Sequence, residues 1–256
     1  MPAYVSAVMP TYNRSAFVPM AIACFLNQDY SERELIVVDN GTETIRHLIP
    51  NDSRIHYCRQ DSPRLTHGQM LNRCCERANG DVIVNWDDDD WSAPDRMTTE
   101  VDLLLGSEKS LAGFHSILYY DVANQGTYRY SYSKRHDPRC TYAAGSSQIY
   151  KKSYWQKHQF ENVAVGADSR WSLKAQSKNE LASMNGGKML VALAHGANVS
   201  NSRRLLGNTP QFPKVDREEF PTAFWDDLKR FRLSQQSLPL SSAMETQDTA
   251  CPQPSL

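Results

Sequence analysis

Gly80-Asp81-Val82-Ile83-Val84-Asn85-Trp86-Asp87-Asp88-Asp89-Asp90-Trp91 is the stretch on which the fold turns. Asn79-Gly80 closes whatever precedes it, and Val82 to Val84 is an unbroken apolar run, the pattern of a strand covered on both faces. Four consecutive aspartates follow, held between Trp86 and Trp91. In an extended segment side chains two apart point the same way, so Asp87 and Asp89 should aim at one point, with Asp88 and Asp90 aimed elsewhere. Two carboxylates roughly 6 Å apart repel by about 3 kcal/mol at an effective dielectric near 20. A buried strand end gains nothing from that repulsion, and a divalent cation would turn it into binding. Oxygen-only ligands suit Mg²⁺ or Mn²⁺.

The surrounding chain alternates strand and helix patterns. Val5 to Met9 reads as a buried strand, followed by the loop Pro10-Thr11-Tyr12-Asn13-Arg14 and a helical stripe of Phe17, Met20, Ala21, Cys24 and Phe25. Leu35 to Val38 is a short apolar run ended by the turn Asp39-Asn40-Gly41. Ile55 to Cys58 is a weaker strand, Gly68 to Ala78 a helix, and Ser92 with Pro94-Asp95 starts a helix that runs to about Leu105. This β-α order predicts a mostly parallel sheet with helices on both faces. Ligands of such sheets bind beyond the carboxyl ends of the strands. Pro10 to Arg14, Asp39 to Gly41 and Asp87 to Asp90 should therefore line one crevice.

The second half is less regular. Leu111 to Val122 and Gln125 to Tyr132 suggest a hairpin, Ser146 to Tyr150 a strand, Ser153 to Gln159 and Arg170 to Leu181 helices, and Lys188 to His195 a last strand. Asp216 to Leu233 carries Phe220, Phe224, Trp225, Leu228 and Phe231 in an amphipathic pattern, with Pro221 tolerable only in a first turn. Packing on the domain is favoured for this helix over a membrane-surface or partner role. Ser234 to Leu256 is rich in Ser, Gln, Pro and Thr and is expected to be disordered.

Composition sets limits. A net charge of -1 supplies no electrostatic case for nucleic acid or an anionic membrane as partner. The cysteines (Cys24, Cys58, Cys74, Cys75, Cys140 and Cys251) form no CxxC pair. Cys74 and Cys75 fall in the helical pattern of Met70, Leu71 and Ala78 and read as core residues. Free thiols, no signal-peptide pattern and no apolar run near the ~20 residues of a membrane span predict a cytoplasmic protein, with peripheral attachment at a membrane left open.

Three segments in order carry a family resemblance: Val8-Met9-Pro10-Thr11-Tyr12-Asn13-Arg14, Leu35 to Thr42, and Gly80 to Asp90 with Pro94. The chain resembles the family 2 glycosyltransferases, which have the GT-A fold. The match is firm over Ala3 to Arg96 and loose to about Ser200. It implies a glycosyltransferase domain over 1–215, with a nucleotide-sugar half at 1–105 and an acceptor half at 106–215; the amphipathic pattern adds a C-terminal helix at 216–233 and the composition a tail at 234–256. It also implies metal-dependent, inverting transfer from a nucleotide-sugar, a UDP-sugar foremost, to a hydroxyl on a glycan, a lipid-linked sugar or another acceptor. By the same resemblance Asp89 is the leading metal ligand. Asp87 and Asp88 contact the ribose, the sugar or the metal, and Asp39 the base. Pro10, Thr11, Tyr12 and Arg14 line the nucleoside and phosphate end, with Arg64, Gly68 and Asn72 in the same region. His195 would sit on the metal or the diphosphate, a position His67, His115 and His136 do not share. Asp168, in Gly166-Ala167-Asp168-Ser169-Arg170-Trp171, matches the family's base, although Ala167 replaces the acid that normally precedes it. Its plain alternative is a helix N-cap. Tyr119, Tyr128, Tyr130, Tyr132 and Trp155 are candidates for stacking on a sugar, with core packing favoured for most.

Two other classes compete. A nucleotidyltransferase would carry a glycine-rich phosphate loop after the first strand, and Pro10 to Arg14 has no glycine. An EF-hand-like module would need Gly and an acid where Ser92 and Thr98 stand. A degenerate nucleotide-sugar-binding protein stays open because of Ala167.

Overall fold

The structure is a computed structural model that describes residues 2–131, 142–198, 205–209 and 212–233. Four parallel strands form its first half: β1 (Val5–Thr11), β2 (Arg33–Asp39), β3 (Ile55–Arg59) and β4 (Val82–Asn85), in the spatial order β3-β2-β1-β4. Every residue of β2 and β4 is buried, as their unbroken apolar runs require. Between them lie α1 (Val18–Leu26) and α2 (His67–Arg77), and after β4 come the two-residue strand β5 (Trp91–Ser92) and α3 (Arg96–Gly106). Thr66 and Gln69 close a capping box at the start of α2. α1 and α3 cover one face of the sheet with Phe17, Phe25, Met97 and Leu104, and α2 covers the other with Met70, Leu71, Cys74 and Cys75. Both adjacent cysteines are thus core residues.

The second half continues the same sheet with β6 (Leu111–Asp121), β7 (Gly126–Ser131), β8 (Ile149–Lys151), β9 (Leu181–Asn185) and β10 (Leu190–Ala194). The full order is β3-β2-β1-β4-β8-β6-β10-β5. The long β6 also pairs with β7 and β9. β8 is antiparallel to both β4 and β6, and β10 is parallel to β6. Two reversals cancel, so β4, β6 and β10 run the same way. Their carboxyl ends therefore share one edge with those of β1 and β2.

The helices α4 (Lys152–Lys157) and α5 (Ala167–Ser177) join α2 on its face, through Tyr154, Trp155 and Trp171. The expected helix over Arg170 to Leu181 is corrected. It begins three residues earlier and stops at Ser177, and Leu181 opens β9, which pairs in parallel with β6. The expected strand from Ser146 is shorter, because Gly145–Ser147 is a 3-10 turn. α6 (Thr222–Arg230) starts directly after Pro221 and buries Phe224 and Leu228 against the domain. The tail beyond Leu233 and Tyr132 lie outside the described residues. No helix among the described residues is long and apolar enough to cross a membrane.

Candidate functional site

The acidic segment is a turn, and its ends are pinned. Trp86 is buried against Phe25 and donates from Nε1 to the Ala21 carbonyl of α1 (3.0 Å). Trp91 packs on Phe224 and donates to Asp227 of α6 (2.9 Å). The chain leaves β4, turns, and comes back as β5 antiparallel to β10. This turn breaks the two-residue alternation expected of an extended segment. The side chains of Asp87, Asp89 and Asp90 bring one oxygen each to within 4.8 Å of one another. Asp90, which the alternation placed elsewhere, belongs to the cluster.

Asp88, Asp89 and Asp90 are only 1, 3 and 5 % exposed, so their charges need partners close by. Asp88 and Asp89 share the Arg14 guanidinium, whose Nη1 is 2.7 Å from Asp88 Oδ1 and 2.8 Å from Asp89 Oδ2. Arg14 also donates to the Ala197 carbonyl. Burial alone would lower the Arg14 pKa, but Asp89 and Asp88 outweigh it and hold the guanidinium charged. Asp89 Oδ2 accepts from Asn198 Nδ2 as well (3.0 Å) and meets His195 Nε2 at 3.0 Å. The Ala197 amide donates to His195 Nδ1, which makes Nε2 the protonated nitrogen that faces Asp89. The ring is stacked on Phe17 with centroids 4.1 Å apart. His195 thus stands as a partner of Asp89, outside the three-carboxylate cluster.

These contacts split the four carboxyls. Burial pushes Asp89 up, yet Arg14 and His195 bring it below the usual range. Burial, then Asp89 and Asp87, push Asp90 well above that range, although the Leu193 amide donates to its Oδ1. Asp87 keeps some contact with solvent, but the packing around it, then Asp89, Asp168 and Asp88, push its carboxyl up to about 7. Burial raises Asp88 more than Arg14 lowers it. Thr11 sits beside Asp88 and helps hold its charge. Among the described residues neither Thr11 Oγ1 nor Asp88 Oδ2 has a properly directed hydrogen-bond partner, so two buried polar atoms are orphaned beside the acidic turn. An oxygen-only cluster with excess negative charge fits a hard divalent cation such as Mn²⁺ or Mg²⁺.

The other candidates divide by what already holds them. Pro10 is in β1 past the end of its pairing with β4, so its missing N–H costs that ladder nothing. Tyr12 and Arg64 form a cation–π pair, the guanidinium 4.5 Å from the ring centre. Asp39 accepts from the Gly41 and Ile45 amides, from Tyr57 and from Arg59. Burial would raise its pKa, and these donors bring it below the usual range. Its oxygens organise the loop after β2. Asn72 is clamped to Trp155 Nε1 and to both backbone groups of Phe160. Gly68 is required by packing, since a Cβ there would lie 1.8 Å from the Glu161 carbonyl oxygen.

Asp168 lies in the first turn of α5, after Gly166 has taken the N-cap position in the left-handed region (φ 75°). The N-cap reading of Asp168 is thereby corrected. Among the described residues no donor reaches its carboxylate. It rests on Gly145, where a Cβ would be 1.5 Å from Asp168 Oδ2, and its charge is felt at Asp87. The base candidate and the acidic turn therefore face one space. Tyr119 is near the same charges, in an aromatic cluster with Tyr130 and Phe212. Trp155 and Tyr150 are core residues. Residue patterns did not single out Asn198, Asp90 or Gly145 as site residues. The signal for Asn198 is its place three residues after His195 at a strand end.

A family model described as glycosyl transferase family 2 matches residues 6–172. The chain is 30% identical over 106 residues to an uncharacterized glycosyltransferase of Haemophilus influenzae, covering 40% of this chain and 42% of that protein. It is 29% identical over 91 residues to the Campylobacter jejuni GalNAc(5)-diNAcBac-PP-undecaprenol beta-1,3-glucosyltransferase, covering 34% and 29%. The matched stretch spans less than half the length of these curated relatives. Among solved structures, Staphylococcus aureus TarS 1–349 in complex with UDP-GlcNAc aligns over 93% of this chain and 68% of its own at a TM-score of 0.62 and 16% identity. The mannosyltransferase PcManGT from Pyrobaculum calidifontis, in complex with GDP-Man and Mn²⁺, aligns over 76% and 57% at 0.57 and 15%. At such identities the likeness is one of fold.

Proposed function

The chain belongs to glycosyl transferase family 2, and on that footing we propose that it transfers a sugar from a nucleoside-diphosphate donor to a hydroxyl acceptor, with inversion and with a divalent metal. The observation that carries this reading is the cluster of Asp87, Asp89 and Asp90 on the strand-end edge, with the Asp168 carboxylate close enough for its charge to be felt at Asp87. When bound, Mn²⁺ or Mg²⁺ would supply positive charge for the departing diphosphate.

The chain's own residues do the rest. Arg14 fixes Asp88 and Asp89 relative to each other, and His195 and Asn198 orient Asp89. Tyr12 and Arg64 form a wall for the nucleotide end of the donor. Asp168 accepts the proton of the acceptor hydroxyl while that oxygen forms its bond to the anomeric carbon. The bond from that carbon to the diphosphate oxygen breaks on the far side, and its electron pair leaves with the diphosphate. An ordinary carboxylate is a weak base, so proton transfer must accompany bond making. The donors bound by the two structural neighbours, UDP-GlcNAc and GDP-Man, support a nucleotide-sugar and leave base and sugar to experiment.

Thermal unfolding with nucleoside diphosphates tests the reading. A ligand at 100 times its Kd adds about 2.7 kcal/mol to stability. UDP or GDP with Mn²⁺ should raise Tm, and the rise should vanish with EDTA. A Tm that responds to neither nucleotide with metal would contradict the proposal. A metal-dependent rise without sugar transfer would point instead to a binding protein that has lost activity.

A further inference from the structure

Arg96 stands among the largest side chains that are fully buried, and no step of the proposed chemistry touches it. Its guanidinium donates to Ser92 Oγ (2.8 Å), to the Asn85 carbonyl (2.9 Å), to the Ser146 carbonyl (2.5 Å) and to Glu100 Oε1 (3.0 Å). It also lies 4.7 Å from the centre of the Trp86 ring. Asn85 ends β4 and Ser92 ends β5, so Arg96 grips the chain on both sides of the acidic turn. Ser146 follows Gly145, the surface against which Asp168 rests. Two further bonds tie the same parts together: Asn85 Nδ2 donates to the Gly145 carbonyl (2.9 Å), and Gln148 Nε2 to the Asp168 carbonyl (3.0 Å).

We propose that Arg96 is a positioning residue, a buried clamp that sets the distance between the Asp87–Asp90 turn and Asp168. Stability alone does not call for it. A buried ion pair is often replaced by apolar residues at no loss, and here Glu100 Oε2 has no partner among the described residues. One guanidinium gathers two carbonyls, a hydroxyl and a carboxylate, a set that a lysine ammonium, with no fixed fork, does not reproduce. Displacing reacting groups by about 1 Å costs on the order of 100-fold in rate. The clamp rests on the transfer mechanism above for its purpose, and its structural effect is measurable without substrate.

The test uses the full chain with three variants: Arg96→Lys, Ser92→Ala, and the double variant Arg96→Met with Glu100→Leu, which leaves no unpaired charge in the core. Amide hydrogen exchange is followed over residues 85–92 and 143–148, beside the steady-state turnover of nucleotide-sugars with Mn²⁺. In the double variant, exchange should rise about tenfold or more in those two segments while β1 and β2 stay protected. kcat should fall about 100-fold, with donor KM within a few-fold of wild type. Arg96→Lys should fall between, and Ser92→Ala should loosen 85–92 while leaving 143–148 protected. Wild-type exchange in both segments, or opening spread evenly over every strand, overturns the clamp. If the double variant does not fold, the two single variants decide by the same pattern. If wild type turns over no nucleotide-sugar, the functional reading fails and the exchange pattern still decides the clamp.

Discussion

Gly145 leaves the Asp168 carboxylate its room. A methyl group there would lie 1.5, 2.5 and 3.0 Å from Asp168 Oδ2, Cγ and Cβ, its three nearest atoms and all of one side chain, so the Asp168 carboxylate cannot stay where it is. Gly145→Ala should leave Tm within a few degrees of wild type and lower transfer about 100-fold, a loss seen in kcat rather than in metal binding. Wild-type kcat in this variant would show that Asp168 is not where the base must be. Glu100 supplies a second test, of stability against pH. Burial raises its pKa from the usual 4.5 to about 7, against the pull of Arg96. The folded state therefore holds a proton that the unfolded chain releases near 4.5. This contribution is complete below pH 4.5 and lost as pH rises to about 7, with a ceiling of about 3 kcal/mol. Urea unfolding of wild type and Glu100→Gln at pH 5 and pH 7.5 should show that excess loss in wild type alone, and parallel profiles would contradict it. Such contacts explain what the residue pattern could not show. Asp87 and Asp89 were legible because four carboxylates after an apolar run demand a reason. The place of Asp90 was not, since alternation holds only for extended chain and this segment turns. Gly145, Asn198 and Arg96 act across long sequence separations that leave no local signature.

At the scale of elements, the first half was legible almost residue by residue. Its strands are buried on both faces and its helices are amphipathic, so period and burial agree. The second half failed where that agreement is lost. β9 has one fully buried residue in five and pairs with a strand some 70 positions away by register, Leu181 beside Leu111. Leu181 continued a helical spacing as well as it began a strand. α6 shows the opposite case, in which an amphipathic pattern correctly implied a partner surface. Phe224 is fully buried among Trp91, Tyr120, Phe220 and Trp225. Phe224→Ala should therefore destabilise the protein by about 3–5 kcal/mol in denaturant unfolding. A cost near zero would mean that α6 detaches in solution and that its apolar face serves another surface. Because Trp91 hydrogen-bonds Asp227, loss of α6 should also loosen the far end of the acidic turn.

Across the whole molecule, function follows from strand direction. The two reversals through β8 return β6 and β10 to the sense of β1, β2 and β4. One edge of the sheet then collects Arg14, the acidic turn and His195, from three stretches of chain up to 181 residues apart, since Arg14 and His195 both reach Asp89. The acidic turn crosses that edge, because it connects β4 to β5, the strand that closes the sheet beside β10. The central claim is that this turn holds a metal for nucleotide-sugar chemistry. The most direct measurement is the release of nucleoside diphosphate from a panel of UDP- and GDP-sugars with Mn²⁺, for wild type and Asp89→Ala, with melting curves as a control of folding. Release that requires Mn²⁺, stops with EDTA and is absent from a folded Asp89→Ala is the predicted result. Release that persists under chelation, or in Asp89→Ala, would contradict the account.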